Sequence, residues 1–236
     1  MSAGFQCKKF YVAHDQCAMK VGTDGLLLGA FAPLPEPGGA ILDIGAGSGL
    51  ISLMLAQRSL AANAIDAIEL DSAAAAQAML NVANSPWPTA IQLIKGDILT
   101  YHSAKRYRLI VSNPPFFQQS LLPKDKKRSQ ARHTDSLPLA ALLTKAGELL
   151  HAEGIFSLIL PLAEAEAMLQ QALAQGWYLA RRCEVRSKAN KPVQRLLLSL
   201  SKQRQKAANS SLIIHQADGG YSAEYKALLQ DFYLKF

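Results

Sequence analysis

The sequence predicts an α/β fold: a mostly parallel, seven-stranded sheet with helices on both faces and an antiparallel hairpin near its C-terminal end. Three observations predict it. Short apolar runs alternate with segments of helical length, the pattern of parallel strands joined by crossover helices. A glycine-rich turn links the first clear run to the helix after it. Near the end of the chain two strand-like runs follow one another across a short polar loop, which leaves room only for a hairpin. With 236 residues, the chain suits one large domain, expected to span its whole length.

The elements follow in order. Residues 40–44 form a short apolar run ending at the glycine turn, and 50–58 read as a helix. Residues 64–70 are a second strand; 72–84 are an Ala-rich helix that Asp71 can cap. Residues 90–94 and 107–112 are further strands, 139–151 an amphipathic helix, and 154–160 a fully apolar strand. Residues 163–175 make a helix that Gly176 would close. The hairpin strands are 177–185 and 193–201, and 222–236 read as a closing helix.

Composition narrows the class. Lys and Arg number 25 against 18 Asp and Glu, a net charge of +7, and half the residues are apolar. This excludes disorder, collagen and coiled coil, and it admits a nucleic-acid partner. Cys7, Cys17 and Cys183 show no CxxC spacing and cannot all pair, so they read as reduced thiols of a cytoplasmic protein. Residues 1–15 lack the apolar core of a signal peptide, and no run reaches the ~18 apolar residues of a membrane span. The five histidines are scattered without metal-ligand spacing, so no metal and no membrane association are expected.

Two motifs carry chemistry. The first is Asp43-Ile-Gly45-Ala-Gly47-Ser-Gly49, between a strand and a helix. Glycines let the backbone turn tightly and approach a ligand, while the helix start offers N–H donors. The spacing is GxGxG rather than the dinucleotide GxGxxG, and an acid stands two residues before it. An acid there repels a pyrophosphate but attracts the ammonium of a methionine-like tail. Glu69 ends the next strand, where a carboxylate can accept both ribose hydroxyls. Asp97 ends the third and can face an adenine amine. Ligands of α/β folds bind at these carboxyl ends; the plainer alternative is a tight turn with surface acids.

The second motif is Ser112-Asn113-Pro114-Pro115-Phe116-Phe117, directly after the fourth strand. Two prolines remove N–H donors and leave carbonyls and the Asn113 side-chain oxygen as acceptors. The adjacent aromatic can stack on a base. Such a loop suits an exocyclic amine: Asn113 Oδ1 and the Pro114 carbonyl would hold its two hydrogens and turn its lone pair toward an electrophile. The alternative is a proline-stopped strand with a core phenylalanine.

On these residues the chain resembles the class I S-adenosylmethionine-dependent amino-methyltransferases, which have a Rossmann-like fold. The stretch from Ala13 to Gly25, Gln77 with the following Ser85-Pro86-Trp87, and the C-terminal Tyr221, Tyr225 and Phe232 make it similar to the bacterial valine-tRNA (adenine-N6)-methyltransferase family. The resemblance implies S-adenosyl-L-methionine as cofactor and an anticodon-adjacent adenosine of tRNA as substrate. It places Asp43, Gly45, Gly47, Gly49, Glu69, Asp97 and Asn113 at the cofactor. It makes Asn113, Pro114, Pro115 and Phe116 the catalytic loop. Residues 1–38 become a segment covering cofactor or substrate, with Thr23, Asp24 and Gly25 at the cofactor; a plain entry loop is the alternative. Phe116 stands where relatives often carry Tyr, so stacking is kept and a phenol hydrogen bond is not.

The basic residues point to RNA. Lys124, Lys126, Lys127, Arg128 and Arg132 follow the catalytic loop closely. Residues 181–206 hold nine cations, Arg181, Arg182 and Arg186 among them, against Glu184 alone. Lys126, Lys127, Arg128, Arg132 and these three arginines are the expected RNA contacts, through phosphates; a solvated basic hairpin is the alternative. Other readings keep the chemistry and change the acceptor to a guanine amine of ribosomal RNA or a glutamine amide of a protein. A non-catalytic cofactor- or RNA-binding module would have no use for the Asn113 acceptors.

Overall fold

The structure, a computed structural model, describes residues 3–115 and 137–235. Phe116, Lys126, Lys127, Arg128 and Arg132 therefore lie outside the described residues. A small antiparallel ribbon, β1 (Gly4–Gln6) and β2 (Tyr11–Ala13), precedes α1 (Thr23–Phe31). Then come β3 (Ile41–Ile44), α2 (Leu50–Arg58), β4 (Ile65–Glu69), α3 (Ser72–Ala83), β5 (Ile91–Lys95) and β6 (Tyr107–Ser112). The second half holds α4 (Leu139–Leu149), β7 (Leu150–Pro161), α5 (Leu162–Ala174), β8 (Tyr178–Lys188), β9 (Arg195–Ser201), β10 (Ala208–His215) and α6 (Ala223–Leu229).

The main sheet has the order β10-β8-β9-β7-β6-β3-β4-β5, with β9 antiparallel to both neighbours and the other pairings parallel. Alternate residues feed two cores. Ile41, Ala67, Leu109, Val111 and Ile159 pack with α1, α2 and α6 through Leu27, Met54 and Tyr225. Leu42, Ile44, Ile110, Phe156 and Leu158 pack with α4 and α5 through Leu143 and Met168. This is the helix-covered parallel sheet that the apolar runs predict.

Several local expectations hold in detail. The Asp71 carboxylate caps α3, accepting from Ala73 N at 3.0 Å and Ala74 N at 2.8 Å. Gly176, at φ 75°, follows α5 in the left-handed region. The three cysteines are free and buried, and burial pushes the Cys7 thiol up to about 12.

Three differences have physical causes. The sheet has eight strands, not seven: β10 adds parallel to β8, and its first half, Ala208 to Ser211, is exposed and polar, so it carries no apolar strand signal. The covering segment contains the helix α1. Its Gly25, Leu26, Leu27, Leu28, Gly29 and Phe31 are all buried, which erases the one-sided periodicity by which a surface helix is read. A Cβ on Gly29 would stand 2.6 Å from Met54 Sδ, so glycine permits the close α1–α2 approach. The C-terminal helix is shorter than read, 223–229, and β7 begins at Leu150, inside the helix expected over 139–151.

Asn81 of α3 joins the N-terminal segment to the glycine turn. Its Oδ1 accepts Ala13 N–H at 3.0 Å, and its Nδ2 donates to Ala13 O and Ser48 O, both at 2.8 Å. Asn81→Ala would strand three buried backbone groups, each costing about 1–3 kcal/mol when left unpaired. The expected loss is at least about 3 kcal/mol, read by urea unfolding; a change below about 1 kcal/mol would refute the role.

Candidate active site

The site lies where β6, β3, β4 and β5 end side by side. Asn113 follows β6, the glycine turn follows β3, Glu69 ends β4, and Asp97 comes two residues after β5. Adjacent strands are spaced by about 4.8 Å, so this row spans about 14 Å. Residues spread over 70 positions of sequence thus form one line along the carboxyl edge, long enough for an amino-acid tail, a ribose and a base laid end to end.

Hydrogen bonds lock the row. Gly45, Gly47 and Gly49 have φ of 74°, 55° and 81°, values that favour glycine. The N–H groups of Gly45 and Ala46 both donate to Ile68 O, tying the turn to β4. Glu69 Oε2 accepts Gly47 N–H at 2.7 Å and its Oε1 accepts Asp71 N–H at 2.8 Å, so the carboxylate is held in place before any ligand arrives. Ser112 Oγ donates to Ile44 O at 2.9 Å, binding the start of the Asn113 loop to the end of β3.

Of the four buried side-chain oxygens without a partner among the described residues, two belong to this row, on Asp43 and Asn113. Asp43 is fully buried; Ser52 N–H and Oγ donate to its Oδ2 at 3.1 and 2.6 Å, and its Oδ1 has no hydrogen-bond partner among the described residues. Burial pushes its pKa up to about 6 despite the Ser52 bonds, with the nearby Glu69 charge adding to the rise. Asn113 Oδ1 is likewise buried, with no partner among the described residues. Unsatisfied buried acceptors are rare and call for an explanation. A cationic ammonium near Asp43 and an amine near Asn113 are ligands that would satisfy them. A Cβ built on Gly45 or Gly47 meets no atom of the described residues within 4 Å, so there is room beside the turn for a ligand. These features fit S-adenosylmethionine, with Asp43 and the glycine turn toward the amino-acid tail, Glu69 toward the ribose and Asp97 toward the base.

The other expected residues have the following partners. Thr23, Asp24 and Gly25 form the first turn of α1, where Asp24 Oδ2 accepts from Arg195 Nε at 2.9 Å. A Cβ on Gly25 would stand 3.0 Å from Leu50, so packing accounts for that glycine. Asp97 Oδ1 accepts Leu99 N–H at 2.9 Å, and Pro114 is buried while Pro115 is exposed. The three hairpin arginines are engaged within the protein. Arg181 donates to Phe31 O and lies 4.1 Å from the Phe31 ring centroid; Arg182 pairs with Glu166 and Glu184, and Arg186 with Glu184. Sequence reasoning gave no holding role to Ser52, Asn81, Ser112 or Arg195, which hold Asp43, the N-terminal segment, the Asn113 loop and Asp24. Ser112 stands in the Asn113 motif but the other three in none, and each of the four acts through a partner on another element.

Glu69→Ala would remove a fixed carboxylate from the middle of the row. Losing a charge-assisted hydrogen bond costs about 1.5–3 kcal/mol, so S-adenosylmethionine affinity by calorimetry should drop roughly ten- to a hundredfold. Unchanged affinity in a folded variant would remove Glu69 from the cofactor site.

The methyltransferase small domain family matches residues 19–177. Over 234 residues the chain is 48% identical to the tRNA1(Val) (adenine(37)-N6)-methyltransferase of Serratia proteamaculans, covering 98% of this chain and 90% of the relative. It is 45% identical to the protein of that name from Photorhabdus laumondii, over 99% and 96% of the two chains. Among solved structures, a predicted O-methyltransferase of Agrobacterium tumefaciens superposes with a TM-score of 0.70 at 15% identity, over 89% of this chain and 96% of that one. A glycopeptide N-methyltransferase complexed with S-adenosyl-L-methionine gives 0.56 at 14% identity, over 76% and 95%. At such identities these structures speak to the fold, which is that of the class I methyltransferases. No helix among the described residues is long and apolar enough to cross a membrane. The chain thus belongs to the methyltransferase small domain family and, by identity along nearly its whole length, to the tRNA1(Val) (adenine(37)-N6)-methyltransferases.

Proposed function

We propose that this chain is a cytoplasmic tRNA-modifying enzyme that transfers a methyl group from S-adenosylmethionine to N6 of adenosine 37 in a valine tRNA. The observation that carries the reading is the buried, unpartnered Asn113 Oδ1 at the end of β6, beside the glycine turn. The bound cofactor supplies an electrophilic methyl group on a sulfonium. Asn113 Oδ1 and the Pro114 carbonyl accept the two N–H hydrogens of the adenine amine and aim the nitrogen lone pair. Pro114 and Pro115 keep the loop free of competing donors. No strong base is required before attack, because the proton leaves after the carbon–nitrogen bond forms. Phe116 stacks on the base. The target adenosine lies in a loop, so it needs only to be unstacked and inserted, at a cost of a few kcal/mol.

Methyl transfer from labelled cofactor to tRNA, ribosomal RNA and protein extract, followed by nucleoside and amino-acid analysis, tests this reading. The expected product is N6-methyladenosine in valine tRNA. Label in guanine N2 or in glutamine would replace the substrate, and no transfer at all would leave only a binding module.

A further inference from the structure

The basic stretch 181–206 is not one surface. β8 runs toward the carboxyl edge of the sheet and β9 runs back, so the charges divide between opposite ends. Arg204 and Lys206 are exposed on the connection into β10, at the far edge from the site. Lys188 ends β8 at the carboxyl edge and Lys191 lies on the turn into β9, where its N–H donates to Lys188 O at 3.0 Å. Neither lysine forms an ion pair among the described residues. The neighbouring turn after β10 carries Asp218, whose Oδ1 accepts Gly220 N–H.

β8 also overshoots the site. Across the ladders, Ser112 aligns with Leu158, Leu198 and Arg182, and Lys188 stands six residues beyond Arg182. That overhang is about 20 Å at the rise of a strand. Sideways, three strand spacings separate β8 from β6, about 14 Å. β10 stiffens the overhang: Ile213 pairs with Arg186 and His215 with Lys188. The N-terminus of α6 braces β10 in turn, with Ser222 N–H donating to Ile214 O at 2.9 Å and the His215 ring stacked on Tyr221 at 5.0 Å.

We infer that this β8–β10 wing is a docking wall for the phosphate backbone of the RNA substrate, with Lys188 and Lys191 as its contacts. The inference rests on the tRNA reading above and adds a surface to it. The two lysines stand too far from Asn113 to touch the reacting nucleoside, and beyond the ~8–10 Å over which exposed charges act at physiological salt. A folded RNA whose target base is inserted at Asn113 extends outward past the wing. Phosphate contacts there orient the stem without reading sequence. The eighth strand gains a purpose: without β10, the end of β8 would be an unsupported ribbon.

The test compares Lys188→Glu/Lys191→Glu with Arg204→Glu/Lys206→Glu, the same charge change at the opposite edge of the sheet. Binding of an unmodified valine tRNA transcript is read by fluorescence anisotropy over a salt series, with single-turnover methylation at saturating RNA alongside. The wing variant should weaken binding at least tenfold and flatten the log–log salt slope by about 2, near 0.9 per lost contact, while the saturated rate stays within about twofold of wild type. The opposite-edge variant should change affinity less than threefold. Equal weakening by both variants, or none by the wing variant, overturns the docking wall. A wild type that binds tRNA through the wing yet methylates none keeps the wall and refutes the proposed activity. A wild type that methylates tRNA with the wing variant unaffected does the reverse, and one that does not bind tRNA overturns both.

Discussion

Asn113→Ala should lower single-turnover methyl transfer by two to three orders of magnitude while leaving the S-adenosylmethionine dissociation constant within about threefold. The magnitude follows from removing a fixed electrostatic partner of the reacting group, worth roughly 10²–10³ in rate. The split follows from where the oxygen acts. Asn113 Oδ1 has no partner among the described residues, so on this reading its gain comes when the substrate amine arrives. The same fact sets an expectation for stability. Deleting an unsatisfied buried acceptor is neutral or stabilising, so the variant should unfold at the same urea concentration as wild type or a higher one. Asn113→Asp retains an acceptor oxygen and should lose less activity. A rate for Asn113→Ala within threefold of wild type would refute the amine-holding mechanism.

Asp43→Asn should weaken S-adenosylmethionine binding roughly ten- to a hundredfold at pH 7 and stabilise the ligand-free protein. The Asp43 carboxyl titrates at about 6 in the fold instead of 3.8, because burial disfavours its charged form. Between those values the folded protein holds a proton that the unfolded chain has released. Its contribution to stability is therefore fully present below about pH 4 and is lost as pH rises through about 6. A tenfold change in proton affinity is worth roughly 1.4 kcal/mol, so the charged carboxylate costs about 3 kcal/mol at neutral pH. The stability advantage of Asp43→Asn over wild type should thus grow between pH 4 and 6 and then level off in urea titrations. Wild-type cofactor affinity should show the complementary trend, falling as pH drops below about 6, because a cationic ammonium needs the carboxylate charged. Equal pH dependence in both proteins would show that Asp43 carries neither effect.

What the residues alone determined is largely local. Asp43 with its three glycines, the Asn113-Pro114-Pro115 run and the apolar runs of β3 to β6 each encode backbone geometry over a few positions, and each formed within a residue or two of where it was expected. The cap by Asp71 is equally local, since donor and acceptor lie within three residues. Tertiary structure decided what depends on partners distant in sequence. α1 was hidden because a helix buried on every side has no polar stripe to reveal its period. β10 was hidden because an edge strand with an exposed polar half takes its order from β8 rather than from its own apolar residues. Charge counted along the chain did not say which cations have partners within the protein. Arg181, Arg182 and Arg186 look available in sequence, yet folding sets Phe31, Glu166 and Glu184 against them. The reversal between β8 and β9 brings Lys188 and Lys191 to the carboxyl edge of the sheet. A ligand site and a binding surface are sums over neighbours in space, and only the folded sheet supplies those neighbours.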